Sequence, residues 1–377
     1  MGVRLRTLAV AALATTSNAS PLIFPRDDSS SNISYAFTNS NGLNFTQMNT
    51  SLPNVTIFAT GGTIAGSSAD NTATTGYQAG ALGIQSLIDA VPEMLDVANV
   101  AGVQVANVAS GDVSSSILLS MAHRLNKVVC NDPTMAGAVV THGTDTLEET
   151  AFFLDATVTC GKPIVIVGAM RPATAISADG PFNLLQSVTV AARSEARNRG
   201  ALVVMNDRIA SAYYVSKTNA NTMDTFKAVE MGYLGAIVSN TPYFFYPPVL
   251  PTGKTAIDVS GVTSIPRVDI LYSYQDMSND TLFSAVENGA KGVVIAGSGA
   301  GAVNTVSSTA ISSLVTKDHF PIVQSTRTGN GEVPYSESGG ISSGFLSPPK
   351  ARILLGLLLA KGQKVEEIRA AFGKVGV

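Results

Sequence analysis

Tryptophan is absent from this sequence of 377 residues, and there are only three histidines and two cysteines. These imidazole and thiol groups are too few for a zinc cage, so we expect no metal site. Charged residues make up 14% of the chain, against about 25% in an average protein. The net charge is -3 and no basic stripe is present, which argues against nucleic acid as a partner. With 45% hydrophobic residues, the chain is predicted to bury a large core or subunit contacts.

Long apolar runs are also missing. Beyond the N-terminus, no uninterrupted run approaches the roughly 18 apolar residues of a membrane-spanning helix, so no membrane association is expected after signal removal. The N-terminus has the pattern of a secretory signal, with Arg4 and Arg6, an apolar run over 8–14 and a small-x-small site at 17–19. These features predict a signal peptide over residues 1–19 and a secreted protein, extracellular or held in the cell wall or periplasm.

Residues 20–51 are rich in serine and asparagine and lack apolar periodicity, which predicts a flexible leader. Acceptor sequences for N-glycosylation occur mainly in this stretch. They lie at Asn32, Asn44, Asn49, Asn54 and Asn279. Because they cluster behind a signal peptide, they predict a glycoprotein.

The two cysteines, Cys130 and Cys160, admit two interpretations. In an exported protein a small, even number of cysteines is usually paired. A bridge would close a loop of about 30 residues, worth roughly 3 kcal/mol on the chain-entropy estimate. The alternative is two buried free thiols. The export signals favour the bridge.

From residue 52 to residue 240, short β-branched runs alternate with amphipathic segments. The runs predict strands over 55–59, 103–108, 138–141, 164–167 and 202–205. Apolar residues at helical spacing predict a helix over 117–128, and Pro181 near the start of 181–197 favours a second helix. Strand–helix alternation with continuous apolar strands is typical of a parallel sheet with helices on both faces. We therefore expect an α/β fold.

Residues 241–267 interrupt this alternation. Five prolines and two glycines make the segment a poor helix or strand interior, so it is predicted to be a linker with some hairpin character. Strands over 268–272 and 293–296 and helices over 281–288, 304–316 and 350–360 follow. The sequence therefore predicts two domains, a large N-terminal catalytic domain over 52–240 and a smaller C-terminal α/β domain over 268–377.

Ligands of such sheets gather at the carboxyl ends of the strands. Four loops with polar or glycine-rich sequence follow the first four predicted strands. They are residues 60–66, 110–112, 142–145 and 168–171. We expect these loops to open on one edge of the sheet.

The first loop reads Thr60-Gly61-Gly62-Thr63-Ile64-Ala65-Gly66. Two glycines let the backbone approach a ligand and present N–H groups to it. The hydroxyl of Thr63 is a possible nucleophile if a base or a polar network activates it. The alternative is an ordinary strand–helix turn that binds phosphate. The loop matches neither the Walker pattern nor G-x-G-x-x-G.

The third loop reads Thr141-His142-Gly143-Thr144-Asp145-Thr146. A hydroxyl beside a carboxylate is suited to a substrate ammonium group, with Asp145 pairing the amine and Thr144 activating water or attacking. The alternative is helix capping by Asp145 or Thr146, and both functions are compatible. His142 is a possible general base, but its position between strand and turn favours a buried hydrogen-bonding role.

Lys217, in Val215-Ser216-Lys217-Thr218-Asn219, is a lone cation in a polar loop. A surface lysine would need no functional explanation. If Lys217 is desolvated near Thr144, it can lose its proton and serve as a base.

The two threonine motifs together resemble the bacterial-type L-asparaginase family. The resemblance runs from about residue 52 to the C-terminus, and five further strings support it. These are GAMRP at 168–172, SADGPFNL at 177–184, VVMND at 203–207, SKTNA at 216–220 and KAR at 350–352. The signal pattern and the cysteines resemble the exported, type II branch, whose members share a disulfide at about this position.

The resemblance implies hydrolysis of the side-chain amide of asparagine to aspartate and ammonia, without a cofactor. Thr63 would be the nucleophile and form a covalent β-aspartyl ester, supported by Tyr77 on a flexible lid. Thr144 and Lys217 would form a second polar pair that activates the nucleophile or the water.

The same resemblance assigns substrate contacts and a quaternary structure. Asp145 would bind the α-amino group, and Ser110 with the turns at Gly62 and Gly143 would hold the substrate in place, including its α-carboxylate. Ala169 would offer its backbone carbonyl to the amide. Glu332 would complete the site of a neighbouring subunit in a homotetramer.

Two departures from the family pattern affect the rim of the site. Gly111 stands where many members carry glutamine, and Ala300 where bacterial members often carry asparagine. Both bear on the choice between asparagine and glutamine, so a broad glutaminase-asparaginase is one rival. A non-catalytic amino-acid-binding protein with the same cleft is another.

Overall fold

The computed structural model describes residues 35–373, and the predicted signal peptide therefore lies outside the described residues. Twelve strands belong to the N-terminal part. They are β1 Phe37–Thr38, β2 Asn44–Phe45, β3 Asn54–Gly61, β4 Asn99–Val108, β5 Met135–Thr141, β6 Ile164–Val167, β7 Ala201–Met205, β8 Arg208–Ser211, β9 Ser216–Lys217, β10 Phe226–Lys227, β11 Gly235–Val238 and β12 Thr241–Phe244. The helices of this part are α1 Ile84–Asp89, α2 Ser115–Leu125, α3 Leu147–Thr157 and α4 Gly180–Ala192.

The large sheet has the strand order β1-β2-β4-β3-β5-β6-β7-β8-β11-β12. Its centre, β4-β3-β5-β6-β7, is parallel, and antiparallel strands extend it on both sides. Strands β3, β5, β6 and β7 are almost entirely buried because helices pack against them, whereas β4 is partly exposed along its second half. If these five strands are numbered by their order in the chain, their order across the sheet is 2-1-3-4-5. The direction of winding therefore reverses between β3 and β5. Open α/β sheets bind ligands at this switch point.

The C-terminal part has its own parallel sheet of four strands in sequence order. The strands are β13 Val268–Tyr272, β14 Gly292–Gly297, β15 Ile322–Thr326 and β16 Ile341–Ser342. Its helices are α5 Asp280–Glu287, α6 Thr305–Thr316, α7 Pro348–Ala360 and α8 Val365–Phe372. The predicted fold class, a large N-terminal sheet and a smaller C-terminal α/β unit, is confirmed. Within residues 35–373, no helix has the length and apolar character needed to cross a membrane.

One part of the predicted leader is ordered into the sheet. Strands β1 and β2 pair with each other, and β2 pairs with β4 through Phe45 and Ala101. The cause is burial of two apolar side chains, since Leu43 is 1% exposed and Phe45 is fully buried. The expectation of a flexible leader is therefore wrong for this stretch, where two apolar anchors outweigh the polar composition.

Two other segments bear on the sequence predictions. The segment 241–267 begins with β12, which adds an edge strand to the large sheet, and has no regular element from 245 onward. Cys130 and Cys160 form the predicted disulfide, with Cα atoms 5.5 Å apart. The bridge ties the π-helical turn after α2 to the segment that leads into β6.

Candidate active site

Two glycine backbones in contact bring the first and third loops together at the switch point. Gly62, at the end of β3, has a φ of 77°, and a Cβ placed on it would overlap the backbone nitrogen and Cα of Gly143. Gly143 in turn follows β5, and a Cβ there would come within 2.9 Å of the Ser110 Cβ. Only glycine permits this approach, so the turns containing Gly62, Ser110 and Gly143 form one buried cluster.

The N–H of Gly62 has a structural partner. It donates to the carbonyl of Val108 at 3.0 Å, and the Gly62 carbonyl accepts the N–H of Gly80 at 3.0 Å. This N–H is therefore already satisfied within the fold, and a role of the turn at Gly62 in holding the substrate stays a prediction. The structural contribution of Gly62 is the close approach to Gly143.

Thr63 begins a short 3-10 turn directly after the strand and is 6% exposed. Its hydroxyl lies 2.5 Å from the hydroxyl of Tyr77, and either group can be the donor. Such a short contact between two hydroxyls is a route for a proton. Tyr77 comes from the loop after the turn, and its ring packs beside Gly66, where a Cβ would meet it at 3.0 Å.

The loop that carries Tyr77 is anchored at both ends. Ser67 and Gln78 form a two-way backbone pair, and Leu82 donates to the Ala65 carbonyl at 2.9 Å. Between these anchors most residues are exposed. The loop therefore closes back on the turn that holds Thr63, and its function as a lid stays a prediction.

Thr144 and Lys217 meet although 73 residues separate them. The Lys217 ammonium donates to the Thr144 hydroxyl at 3.1 Å and to the Asp145 carboxylate at 2.6 Å. The Lys217 side chain is 13% exposed, whereas the Asp145 side chain is 81% exposed. The Lys217 side chain is thus mostly buried beside Thr144, and Asp145 presents its carboxylate to solvent.

The N-terminal end of α3 connects this pair to Ser110. Thr146 occupies the capping position, but its hydroxyl donates to the Ser110 carbonyl at 2.7 Å and caps no helix N–H. Helix capping therefore does not explain the polar run, and Thr146 instead holds the second and third loops together. Ser110 itself is 7% exposed and starts a 3-10 turn.

Ala169 lies in the fourth loop and is fully buried. A clamp of two side chains from the region of α4 fixes this loop. The Asp179 carboxylate accepts the N–H groups of Met170 and Arg171 at 3.0 Å, and the Asn183 amide donates to the Gly168 carbonyl at 3.1 Å. Sequence reasoning missed this role, although the SADGPFNL string that carries both residues was a signal for it.

His142 is not a base for the cleft. It is fully buried, with Nδ1 2.8 Å from the Gly143 carbonyl and Nε2 2.8 Å from the Thr150 hydroxyl. Because the carbonyl only accepts, Nδ1 donates and Nε2 accepts. Burial lowers the pKa of His142 to about 4, and the bond to the Gly143 carbonyl only partly opposes this effect. The neutral ring braces the turn, as favoured from the sequence.

Glu332 is exposed in the C-terminal part, beside the short bridge between Val333 and Gly344. Among residues 35–373, no hydrogen bond or ion pair links it to the threonine cluster. In the described part of the chain, no three His, Cys, Asp or Glu side chains are grouped to hold a metal ion.

The chain matches known proteins along most of its length. The families described as "Asparaginase, N-terminal" and "Glutaminase/Asparaginase C-terminal domain" match residues 54–250 and 267–372. The chain therefore belongs to the asparaginase family, whose two characteristic regions both occur here.

Individual relatives agree with this assignment. "Probable L-asparaginase 1" of Schizosaccharomyces pombe is 48% identical over 333 residues, which cover 88% of this chain and 92% of that protein. "L-asparaginase 2" of Bacillus subtilis is 50% identical over 327 residues, covering 86% and 87%. The crystal structure of a probable cytoplasmic L-asparaginase from Campylobacter jejuni matches with a TM-score of 0.81 and 42% identity, covering 85% of this chain and 99% of that one.

The structural relative corrects one prediction. Its title describes a probable cytoplasmic enzyme, and the N-terminal segment from which secretion was predicted lies outside the described residues. The secreted location is therefore wrong by this comparison, and the prediction of glycosylation loses its basis with it.

Replacing Gly62 by alanine tests the glycine contact. A Cβ there adds overlap with Gly143 to the strain of a positive φ, so we expect a loss of about 2–5 kcal/mol of unfolding free energy. Gly42→Ala is the matched control, since Gly42 has a φ of 75° and nothing within 4 Å of a Cβ. It should lose about 1–2 kcal/mol. Equal losses in urea unfolding would show that the contact is not tight.

The buried His142 predicts acid sensitivity. Its folded-state pKa of about 4 lies below the ordinary 6.5, so unfolding takes up a proton between these values and stability falls as pH falls through that window. The steepest slope from this group is about 1.4 kcal/mol per pH unit. His142→Gln keeps a polar side chain but does not titrate, and should flatten the curve of unfolding free energy against pH by that amount. Parallel curves for the two proteins would contradict the assignment.

Proposed function

We propose that this protein hydrolyses L-asparagine to L-aspartate and ammonia through a covalent ester on Thr63. The observation that carries the proposal is the convergence of two polar pairs, Thr63–Tyr77 and Thr144–Lys217, on the glycine contact at the switch point. Membership of the asparaginase family and the names of its relatives support the same reaction.

Substrate binding uses the polar groups that surround this contact. The exposed carboxylate of Asp145 takes the α-ammonium group, exchanging part of its ion pair with Lys217 for the substrate. Ser110 and the turn at Gly143 hold the substrate from the other side, and Ser110 offers its hydroxyl to the α-carboxylate. The carbonyl of Ala169, fixed by the Asp179 clamp, accepts an N–H of the side-chain amide.

In the first step, the Thr63 oxygen attacks the side-chain amide carbon. The threonine proton passes through the Tyr77 hydroxyl to the departing nitrogen, which leaves as ammonia when the C–N bond breaks. The product is the β-aspartyl ester of Thr63. Backbone N–H groups of the turns that contain Thr63 and Gly143 are suited to stabilising the oxyanion.

In the second step, water attacks the ester and releases aspartate, and Thr63 recovers its proton. The pair Thr144–Lys217 activates this water or, in the first step, the nucleophile. As an ammonium, Lys217 has no acceptor, so it must give up its proton before it can act as a base.

A broader activity on glutamine is the second candidate. A Cβ on Gly111 would meet nothing within 4 Å, so the rim is open where many relatives carry a glutamine side chain. One additional methylene changes discrimination by only about 1–3 kcal/mol. We propose asparagine as the main substrate and glutamine as the weaker one, and comparing kcat/KM for the two amino acids tests this order.

We also propose that four copies of the chain form a homotetramer with active sites between subunits. Each copy consists of the catalytic domain over 52–240 and the C-terminal domain over 268–377. Two features support the assembly. Exposed apolar side chains cluster on and after the edge strand β12, at Tyr243, Phe245, Tyr246, Val249 and Leu250. Glu332 is exposed and makes no polar contact with the described cluster of its own chain, as expected for a group donated to a neighbour.

The decisive variant is Thr63→Val, which removes the nucleophilic hydroxyl and keeps the shape. We expect kcat for ammonia release from asparagine to fall by roughly 10³-fold or more. Thr56→Val is the control, because Thr56 is a fully buried threonine on β3, the strand before Thr63, and its hydroxyl only bonds the Ala101 carbonyl. It should keep kcat within about twofold, since it touches no reacting group.

Two results would contradict the proposal. Undiminished ammonia release by Thr63→Val would remove Thr63 as the nucleophile. A wild-type protein that binds asparagine without releasing ammonia would favour the binding-protein alternative.

A further inference from the structure

A buried lysine in the C-terminal part reaches the chain segment that leads to Lys217. Lys350, at the start of α7, is 2% exposed. Its ammonium donates to the carbonyls of Tyr213 at 2.9 Å and Val215 at 2.6 Å. A fully buried lysine is rare unless it is paired, so these two bonds require an explanation.

The surroundings of Lys350 keep it a donor. Burial lowers its pKa to about 8, while the nearby carboxylates of Glu148 and Asp155 oppose that shift. Asp155 is itself paired with Lys254 at 2.6 Å, and Tyr213 is the other titratable group beside it. A pKa of about 8 leaves Lys350 mostly an ammonium at neutral pH. Its N–H groups can therefore hold two carbonyl oxygens at once.

The carbonyls of Tyr213 and Val215 lie just before Lys217 in the chain. Val215 is two residues from Lys217, and both Tyr213 and Val215 are buried. Strand β9, which carries Lys217, is only two residues long and pairs with β10 but not with the large sheet. The large sheet therefore does not fix the position of Lys217. Residues 213–215, held by Lys350, attach it to the core on one side, and the pairing with the buried Phe226 of β10 attaches it on the other.

The same helix also contacts α3, the helix that follows Thr144. Arg352, two residues after Lys350, forms an ion pair with Glu149 at 3.0 Å. Glu149 is in the first turn of α3, which begins three residues after Thr144. Helix α7 thus contacts the segment before Lys217 and the helix after Thr144.

We propose that Lys350 is a positioning residue that sets the separation between Lys217 and Thr144. This inference rests on the proposed function, because it assigns a role in the step that the pair performs. Lys350 touches no reacting atom and acts through the backbone of 213–215. A shift of about 1 Å in a catalytic group lowers the rate by up to about 100-fold.

The test is Lys350→Met, which keeps the length of the side chain and removes the donor. We expect kcat for asparagine to fall by about 10- to 100-fold with KM within about twofold, because the Asp145 and Ser110 contacts that bind substrate remain. Lys350→Gln retains a shorter, neutral donor, and is the second variant if the first does not fold. Its kcat should fall in the same direction by at least about threefold.

Lys254→Met is the matched control. It also removes a buried lysine, but the partner of Lys254 is Asp155 and not the 213–215 carbonyls. It should lose stability and keep kcat within about twofold. The three variants are compared as folded proteins, by circular dichroism and gel filtration, before kinetics.

The outcomes separate the inference from the proposed function. Wild-type kcat in a folded Lys350→Met or Lys350→Gln protein overturns the inference, and so does an equal loss of kcat in Lys254→Met. A wild-type protein inactive on asparagine overturns the proposed function instead. A rise in KM with unchanged kcat in Lys350→Met would show a role in binding and would also overturn the inference.

Discussion

The contact between the backbones of Gly62 and Gly143 is the constraint on which the rest of the site depends. It exists because β3 and β5 are neighbours at the point where the winding of the sheet reverses. No side chain fits between the two turns. Thr63 follows Gly62 in the chain and Thr144 follows Gly143, so this contact holds the two threonines close together. Two hydroxyls that lie 81 residues apart in the sequence become parts of one site.

Residues outside the reacting set hold this arrangement in place. Thr146 links the third loop to Ser110, and His142 braces the turn from the core side. The carboxylate of Asp179 fixes the fourth loop through backbone N–H groups. Lys350 secures the approach to Lys217 from the C-terminal part. The bonds of Thr146 and Lys350 join segments distant in sequence, whereas those of His142 and Asp179 join neighbouring segments, so both distant and local contacts support the site.

The sequence was sufficient for the parallel centre of the large sheet, because apolar runs mark parallel strands, but not for the antiparallel strands that extend it. The four strand-end loops could be located in this way. The contact of Lys217 with Thr144 could not, since it depends on a two-residue strand with no periodic signal. The bond from the Gly62 N–H to the Val108 carbonyl could not be predicted either, because it is visible only in the folded backbone. Composition also misled at 35–51, where Leu43 and Phe45 anchor a polar segment.

The hydroxyls of Thr63 and Thr144 have different functions in the proposed reaction, with Thr63 as the attacking group. Rapid acid quenching of the enzyme during turnover of asparagine, followed by peptide mapping with mass spectrometry, tests this directly. We predict that the mass of one β-aspartyl group appears on the peptide that contains Thr63. The same mass on the peptide that contains Thr144 would contradict the account.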